Sequence, residues 1–147
     1  MSQSIKLENI GCLVVEGNEG LDCKYGSSLT IEDEYIASIG SGNADTVIDC
    51  KDKMVTSGFV DSHTHLVFDT LRIEEHKLRL SGASYEEIAK KGGGIVSSVE
   101  SVRSASPKKL FDKGYERLNR FLSMGTTTIE AKSGYGLDLE SELKSLK

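Results

Sequence analysis

Gly58-Phe59-Val60-Asp61-Ser62-His63-Thr64-His65 is the stretch on which the reading of this chain turns. A short apolar run, entered from glycine, leads straight into two histidines separated by one residue. Residues i and i+2 of a strand share a face, so the imidazoles of His63 and His65 can converge on one metal ion. If the strand belongs to a parallel α/β barrel, its C-terminal end opens on the active-site mouth. A pair of polar residues at a strand end is the plainer alternative.

Upstream of Gly58 the texture is that of β structure. The apolar runs Ile10 to Val15, Leu29 to Ile31, Tyr35 to Ile39, Val47 to Ile48 and Met54 to Val55 are separated by Gly17-Asn18, Gly26-Ser27-Ser28, Glu32-Asp33-Glu34 and Gly40-Ser41-Gly42-Asn43. This density of short strands and turns predicts a small antiparallel sheet or half a sandwich over residues 1–57. No residue there suggests chemistry.

Downstream, helical signals take over. Ser84-Tyr85-Glu86-Glu87 fits a capping box, opening a helix that runs to about Lys91 before Gly92-Gly93-Gly94 breaks it. Ser106 and Pro107 start the clearest helix, whose Phe111, Tyr115, Leu118 and Leu122 form one apolar stripe and which Gly125 ends. Thr126 to Ala131 is strand-like, Lys132 to Gly136 a loop, and Leu139 onward helical. Strand, helices, strand, helix indicates parallel βαβ units. A closed (β/α)8 barrel takes about 250 residues. Residues 58–147 therefore hold only the opening of a barrel, an α/β arrangement left incomplete in this chain.

Composition narrows the field. The chain has 147 residues, 37% hydrophobic and 28% charged, and a net charge of -5 with no basic stripe, which gives no reason to expect nucleic acid or an anionic membrane as partner. The N-terminal residues have neither the basic nor the apolar region of a secretory signal, and no apolar run approaches the ~20 residues of a membrane span. Cys12, Cys23 and Cys50 are odd in number and lack C-x-x-C spacing, so buried reduced thiols and a cytoplasmic location are expected.

Three stretches carry a more specific signal: GFVDSHTHLVF (58–68), LRLSGASYEEIAKKGGGI (78–95) and GTTTIEAKSGYGLDLESELKSL (125–146). Together they resemble the N-terminal portion of the imidazolonepropionase family in the amidohydrolase superfamily, and the first 57 residues resemble that superfamily's small β-sandwich. The chain departs from the family at Ser57, where proline is usual, and at Asp69-Thr70-Leu71 before Arg72. The resemblance implies metal-dependent hydrolysis of the ring amide of 4-imidazolone-5-propionate to N-formimidoyl-L-glutamate in histidine degradation. It implies that His63 and His65 bind one zinc or iron ion, that Arg72 binds the substrate's propionate, and that Tyr135 and Tyr85 contact the substrate. It also implies a homodimer for the full-length enzyme. Further metal ligands and proton-transfer groups are expected on sequence beyond Lys147, which leaves this piece inactive alone.

Plainer roles stay open for each residue: a surface ion pair for Arg72, a half-buried helix tyrosine for Tyr85, packing for Tyr135. His76 reads as a surface histidine. Lys132 reads as structural rather than as the carbamylated lysine of two-metal relatives. Asp61, on the face of His63, either orients a ligand or packs. Two other functions remain: another cyclic amidase or deaminase of the superfamily, and a non-catalytic short form acting as a binding or assembly module.

Overall fold

The structure is a computed structural model that describes residues 3–90 and 92–147. The chain divides into two compact units, Met1–Ser57 and Gly58–Lys147.

The first unit is a single five-stranded sheet. β1 (Ser4–Gly17) and β2 (Gly20–Glu32) form a long antiparallel hairpin, and β3 (Tyr35–Ile39) continues it antiparallel to β2. The other edge of β1 is shared by two short strands, β4 (Thr46–Asp49) and β5 (Met54–Val55), both parallel to it. The sheet is thus mixed, a correction to the antiparallel expectation. The second correction is Gly26-Ser27-Ser28, which lies inside β2 rather than in a turn.

β1 can serve two partners because it breaks its own regularity. Asn9 has φ 53°, and the register with β2 slips between Leu7 and Ile10, a bulge that re-aims the strand. Just beyond it, a Cβ on Gly11 would stand 2.1 Å from the carbonyl oxygen of Asp52, so the close approach of the β4–β5 connection needs glycine there. Ile10, Leu13 and Leu29 form the buried centre, with Leu7, Val15, Ile31, Cys50 and Val55 against them. Each fully buried aliphatic side chain contributes about 1.5–3 kcal/mol. Of the three free cysteines, Cys12 is buried, Cys50 half-buried and Cys23 exposed, so the expectation of uniformly buried thiols fails at Cys23.

The second unit is built on a parallel pair, β6 (Phe59–Thr64) and β7 (Thr126–Ala131). A Cβ on Gly58 would lie 2.1 Å from the Thr127 hydroxyl, which explains the glycine that opens β6. Between the strands run α1 (Ile73–Leu80), α2 (Tyr85–Lys90), α3 (Ile95–Ser104) and α4 (Pro107–Ser123), and α5 (Leu139–Leu146) follows β7. The capping box forms as read: Ser84 N donates to Glu87 Oε2 at 2.8 Å, and Glu87 N to Ser84 Oγ at 3.2 Å. Lys91, the expected end of that helix, lies outside the described residues. α4 starts as expected, with Ser106 Oγ accepting from Lys109 N and Pro107 in the first turn.

Two features differ from expectation. α3 has no counterpart among the expected helices, because its Val and Ser residues have modest helix propensity; it forms by burying Val99 and Val102. On α4 the stripe read from the sequence is exposed, with Phe111 at 69% and Leu122 at 62%, while Leu110 and Gly114 face the core beside Val102 and Ala105. Among the described residues no helix is long and apolar enough to cross a membrane.

Candidate functional site

β6 delivers His63 near its C-terminal end, and His65 follows one residue beyond it. The two imidazole centroids are 5.5 Å apart and edge-to-face. With metal–nitrogen bonds of about 2 Å, rings this close can share one ion. His63 is exposed and His65 half-buried. The backbone N of His63 donates to Asp61 Oδ1 at 3.1 Å, so Asp61 fastens the strand end through the main chain rather than through an imidazole.

The end of β6 is pinned to β7, where Lys132 N donates to the Thr64 carbonyl at 2.8 Å. The Lys132 ammonium is paired with Glu130. That hydrogen bond and charge, aided by His63, hold the Glu130 carboxyl below its ordinary value.

The loop after β7 packs directly on His65. Gly134 has φ 149°, and a Cβ on it would come within 2.8 Å of His65 Cε1. The Tyr135 ring lies 5.0 Å from that of His65 and 6.1 Å from that of Phe68. Tyr135 also rests against the Val102–Ala105–Leu110 core, so packing and contact with His65 coexist in one side chain. His65 Nδ1 is buried and has no hydrogen-bond partner. A buried imidazole nitrogen left unpaired is costly, and a metal ligand or a hydrogen-bonding group would relieve it. The pair therefore fits a metal as two of its donors, but among the described residues no group of three His, Cys, Asp or Glu side chains converges.

Arg72 and Tyr85 lie together, in a different place. With Glu75, His76, Arg79 and Ile88 they line a small cavity of about 160 Å³, which shares no residue with the His63–His65–Tyr135 cluster. Arg72 Nη1 stands 3.9 Å from Glu75, a loose pairing that leaves the guanidinium available. Tyr85 is 64% exposed at the start of α2. His76 is exposed, as read.

Sequence reasoning missed Arg117. Its guanidinium carbon sits 3.5 Å above the Phe68 ring, and Nη1 donates to the carbonyls of Leu66 and Phe68 at 3.0 and 2.7 Å. Arg117 thereby holds the segment that leaves His65, and burial pushes its guanidinium down from its ordinary value. The signal was available: Leu110, Gly114, Arg117 and Phe121 recur at spacings of four, three and four, one position round from the exposed stripe. A larger open cavity, about 770 Å³, runs along this face and includes His65, Phe68, Asp69, Lys109, Arg117 and Arg120.

The fold of these elements is shared by solved structures of other proteins, some described as hydrolases or amidohydrolases. A triazine hydrolase from Arthobacter aurescens superposes with a TM-score of 0.66 at 14% identity, over 97% of this chain and 33% of its own. A protein described as an amidohydrolase gives 0.56 at 21%, over 95% and 29%. No family model matches the chain. Individual relatives do: the imidazolonepropionase of Brucella anthropi is 47% identical over 139 residues, 90% of this chain and 34% of that protein, and that of Fusobacterium nucleatum is 40% identical over 155 aligned positions, 100% and 35%. By sequence the chain corresponds to the N-terminal portion of the imidazolonepropionases. It spans about a third of the length of these curated relatives.

Proposed function

We propose that this chain supplies the opening of a (β/α)8 barrel, preceded by part of a β-sandwich, to an enzyme that hydrolyses the ring amide of 4-imidazolone-5-propionate, giving N-formimidoyl-L-glutamate. The observation that carries the reading is the pair of facing imidazoles, His63 and His65, with a buried nitrogen of His65 lacking a partner. His63 and His65 would hold a single zinc or iron ion. Such an ion makes water more acidic and polarises a carbonyl oxygen.

The other residues bind and orient. Tyr135, backed by Phe68 and the core, fixes the plane of His65 and presents an aromatic wall to the substrate ring. Arg72, weakly held by Glu75, is free to make a two-pronged contact with the propionate carboxylate, and Tyr85 borders the same cavity. The hydrolysis adds water across the ring C–N bond, the oxygen going to the carbonyl carbon and the proton to the departing nitrogen. The reading requires one substrate to span both groups of residues.

The test is elemental analysis and turnover in the intact polypeptide purified from its source, compared with His63→Ala. Bound metal and turnover of imidazolonepropionate should fall together by more than about tenfold, since loss of even an outer-shell partner of a metal ligand costs about 10–100-fold. Unchanged metal content would remove the histidines from the metal site. Turnover of other cyclic amides, with none of imidazolonepropionate, would reassign the substrate.

A further inference from the structure

The hairpin of the first unit places two sulfurs side by side. Cys12 on β1 and Cys23 on β2 sit diagonally across the antiparallel ladder, since Cys12 faces Tyr25 and Cys23 faces Val14. Their Sγ atoms are 2.9 Å apart, with the Cys12 thiol donating to Cys23. A disulfide needs about 2.05 Å, so closure asks for less than about 1 Å of movement between side chains already directed at each other. The two differ in access: Cys12 is buried and Cys23 is exposed. The hydrogen bond to Cys23 raises Cys12 above the ordinary thiol value, and the accessible sulfur of Cys23 is the one that meets reagents from solvent.

We propose that Cys12 and Cys23 are a redox-active dithiol that closes to a cross-strand disulfide by exchange with a small-molecule disulfide. In the first step the Cys23 thiolate attacks one sulfur of the small disulfide. That S–S bond breaks, a mixed disulfide forms at Cys23, and the first small thiolate leaves. In the second step Cys12 gives its proton to solvent and attacks Cys23 Sγ, and the second small thiolate leaves. Two protein thiols are oxidised to one disulfide, and one small disulfide is reduced to two thiols. Closure ties β1 to β2 across the Gly17–Gly20 turn and fixes their register. Cys50 takes no part, its sulfur lying against the Ile48 carbonyl.

The experiment equilibrates the whole chain in glutathione buffers of rising oxidised fraction, alkylates the remaining thiols and reads intact and peptide masses. Cleavage after Glu16 and Glu19 separates the two cysteines. The expected result is loss of two alkylatable thiols together, with a Cys12–Cys23 cross-link and an alkylated Cys50. In Cys12→Ser, Cys23 should be trapped as the glutathione mixed disulfide; in Cys50→Ser, the cross-link should form as in the parent chain. Stable glutathionylation of Cys23 in the unmodified chain, cross-links between two molecules, or pairing through Cys50 would overturn the proposal. Because the parent chain alone gives the decisive masses, the result does not depend on either variant folding.

Discussion

Two regions of the second unit carry candidate substrate contacts, and they are held in opposite ways. The loop that presents Tyr135 is anchored at nearly every residue after it. Arg103 Nε donates to the Gly136 carbonyl at 2.8 Å and pairs with Asp138 at 2.9 Å. Glu142 Oε1 accepts from the backbone N of Gly136 and of Leu137, both at 2.8 Å. Lys144 Nζ, one turn along α5, donates to the carbonyls of Val102, Arg103 and Ala105 at the end of α3. Arg72 and Tyr85 have no such frame: α1 buries no residue, and among the described residues the Arg72 guanidinium pairs only with Glu75, at 3.9 Å. Charged side chains aimed at main-chain groups fix where the loop goes, whereas a surface helix with only local bonds leaves its arginine adjustable. One group of residues is built for place, the other for reach.

The contrast breaks most completely at Gly136. A Cβ there would stand 2.6 Å from Ser141 Cβ and 2.8 Å from Glu142 N, so Gly136→Ala must push the loop off the first turn of α5. A loss of about 2–3 kcal/mol in urea unfolding of the second unit is expected, and the aromatic NMR spectrum should show the Tyr135 ring moved away from that of His65. Retained stability and an unmoved Tyr135 would mean that the loop is not framed as described.

A smaller effect is expected from acid and from Glu142→Gln. The neighbouring Ser133 side chain and the loop amides of Gly136 and Leu137 hold the Glu142 carboxyl below its ordinary 4.5, and the Ser141 amide holds Asp138 below 3.8. Both are depressed in the folded chain, so their stabilisation is present above those ordinary values and is lost as pH falls through the lowered ones. Amide exchange at Gly136 and Leu137 should therefore quicken, relative to the intrinsic rate, below about pH 4.5. Glu142→Gln should cost about 1 kcal/mol near neutrality, allowing for partial exposure, and should blunt that acid response. An unaltered response in the variant would place the acid sensitivity elsewhere.

The smallest effect sharpens the comparison from the other side. Arg72→Ala should change stability by less than about 0.5 kcal/mol. A larger loss would mean that Arg72 is a structural residue and would take it out of the substrate-binding role.

What the sequence displayed follows the same division between local and distant causes. The Ser84 capping box, the Ser106-Pro107 start of α4 and the strands around Ile10, Leu29 and Tyr35 were legible because each is encoded in neighbouring residues. The approach of His63 to His65 followed from strand geometry. The parallel pairing of β4 and β5 with β1 was not legible, because it depends on a bulge at Asn9 whose effect appears forty residues later. Arg117 was hidden for a related reason. The hydrophobic period of α4 marks its exposed stripe, and the face that packs inward includes a glycine and a guanidinium. The cavity joining Arg72 to Tyr85 depends on how α1 meets α2, which no residue pattern within either helix specifies.

The divided edge of β1 also sets an order in time. Its hairpin with β2 closes across the short Gly17–Gly20 turn, an event on the scale of about 1–10 μs. The opposite edge must wait for Thr46–Asp49 and then Met54–Val55, whose loop closures carry a larger entropic barrier. During synthesis from the N-terminus the same interval recurs, with a paired hairpin whose free edge stays open until the later strands emerge. An open strand edge invites pairing with another chain. The bulge at Asn9, by splitting that edge into two short and differently aimed segments, shortens the template that a nascent neighbour would find.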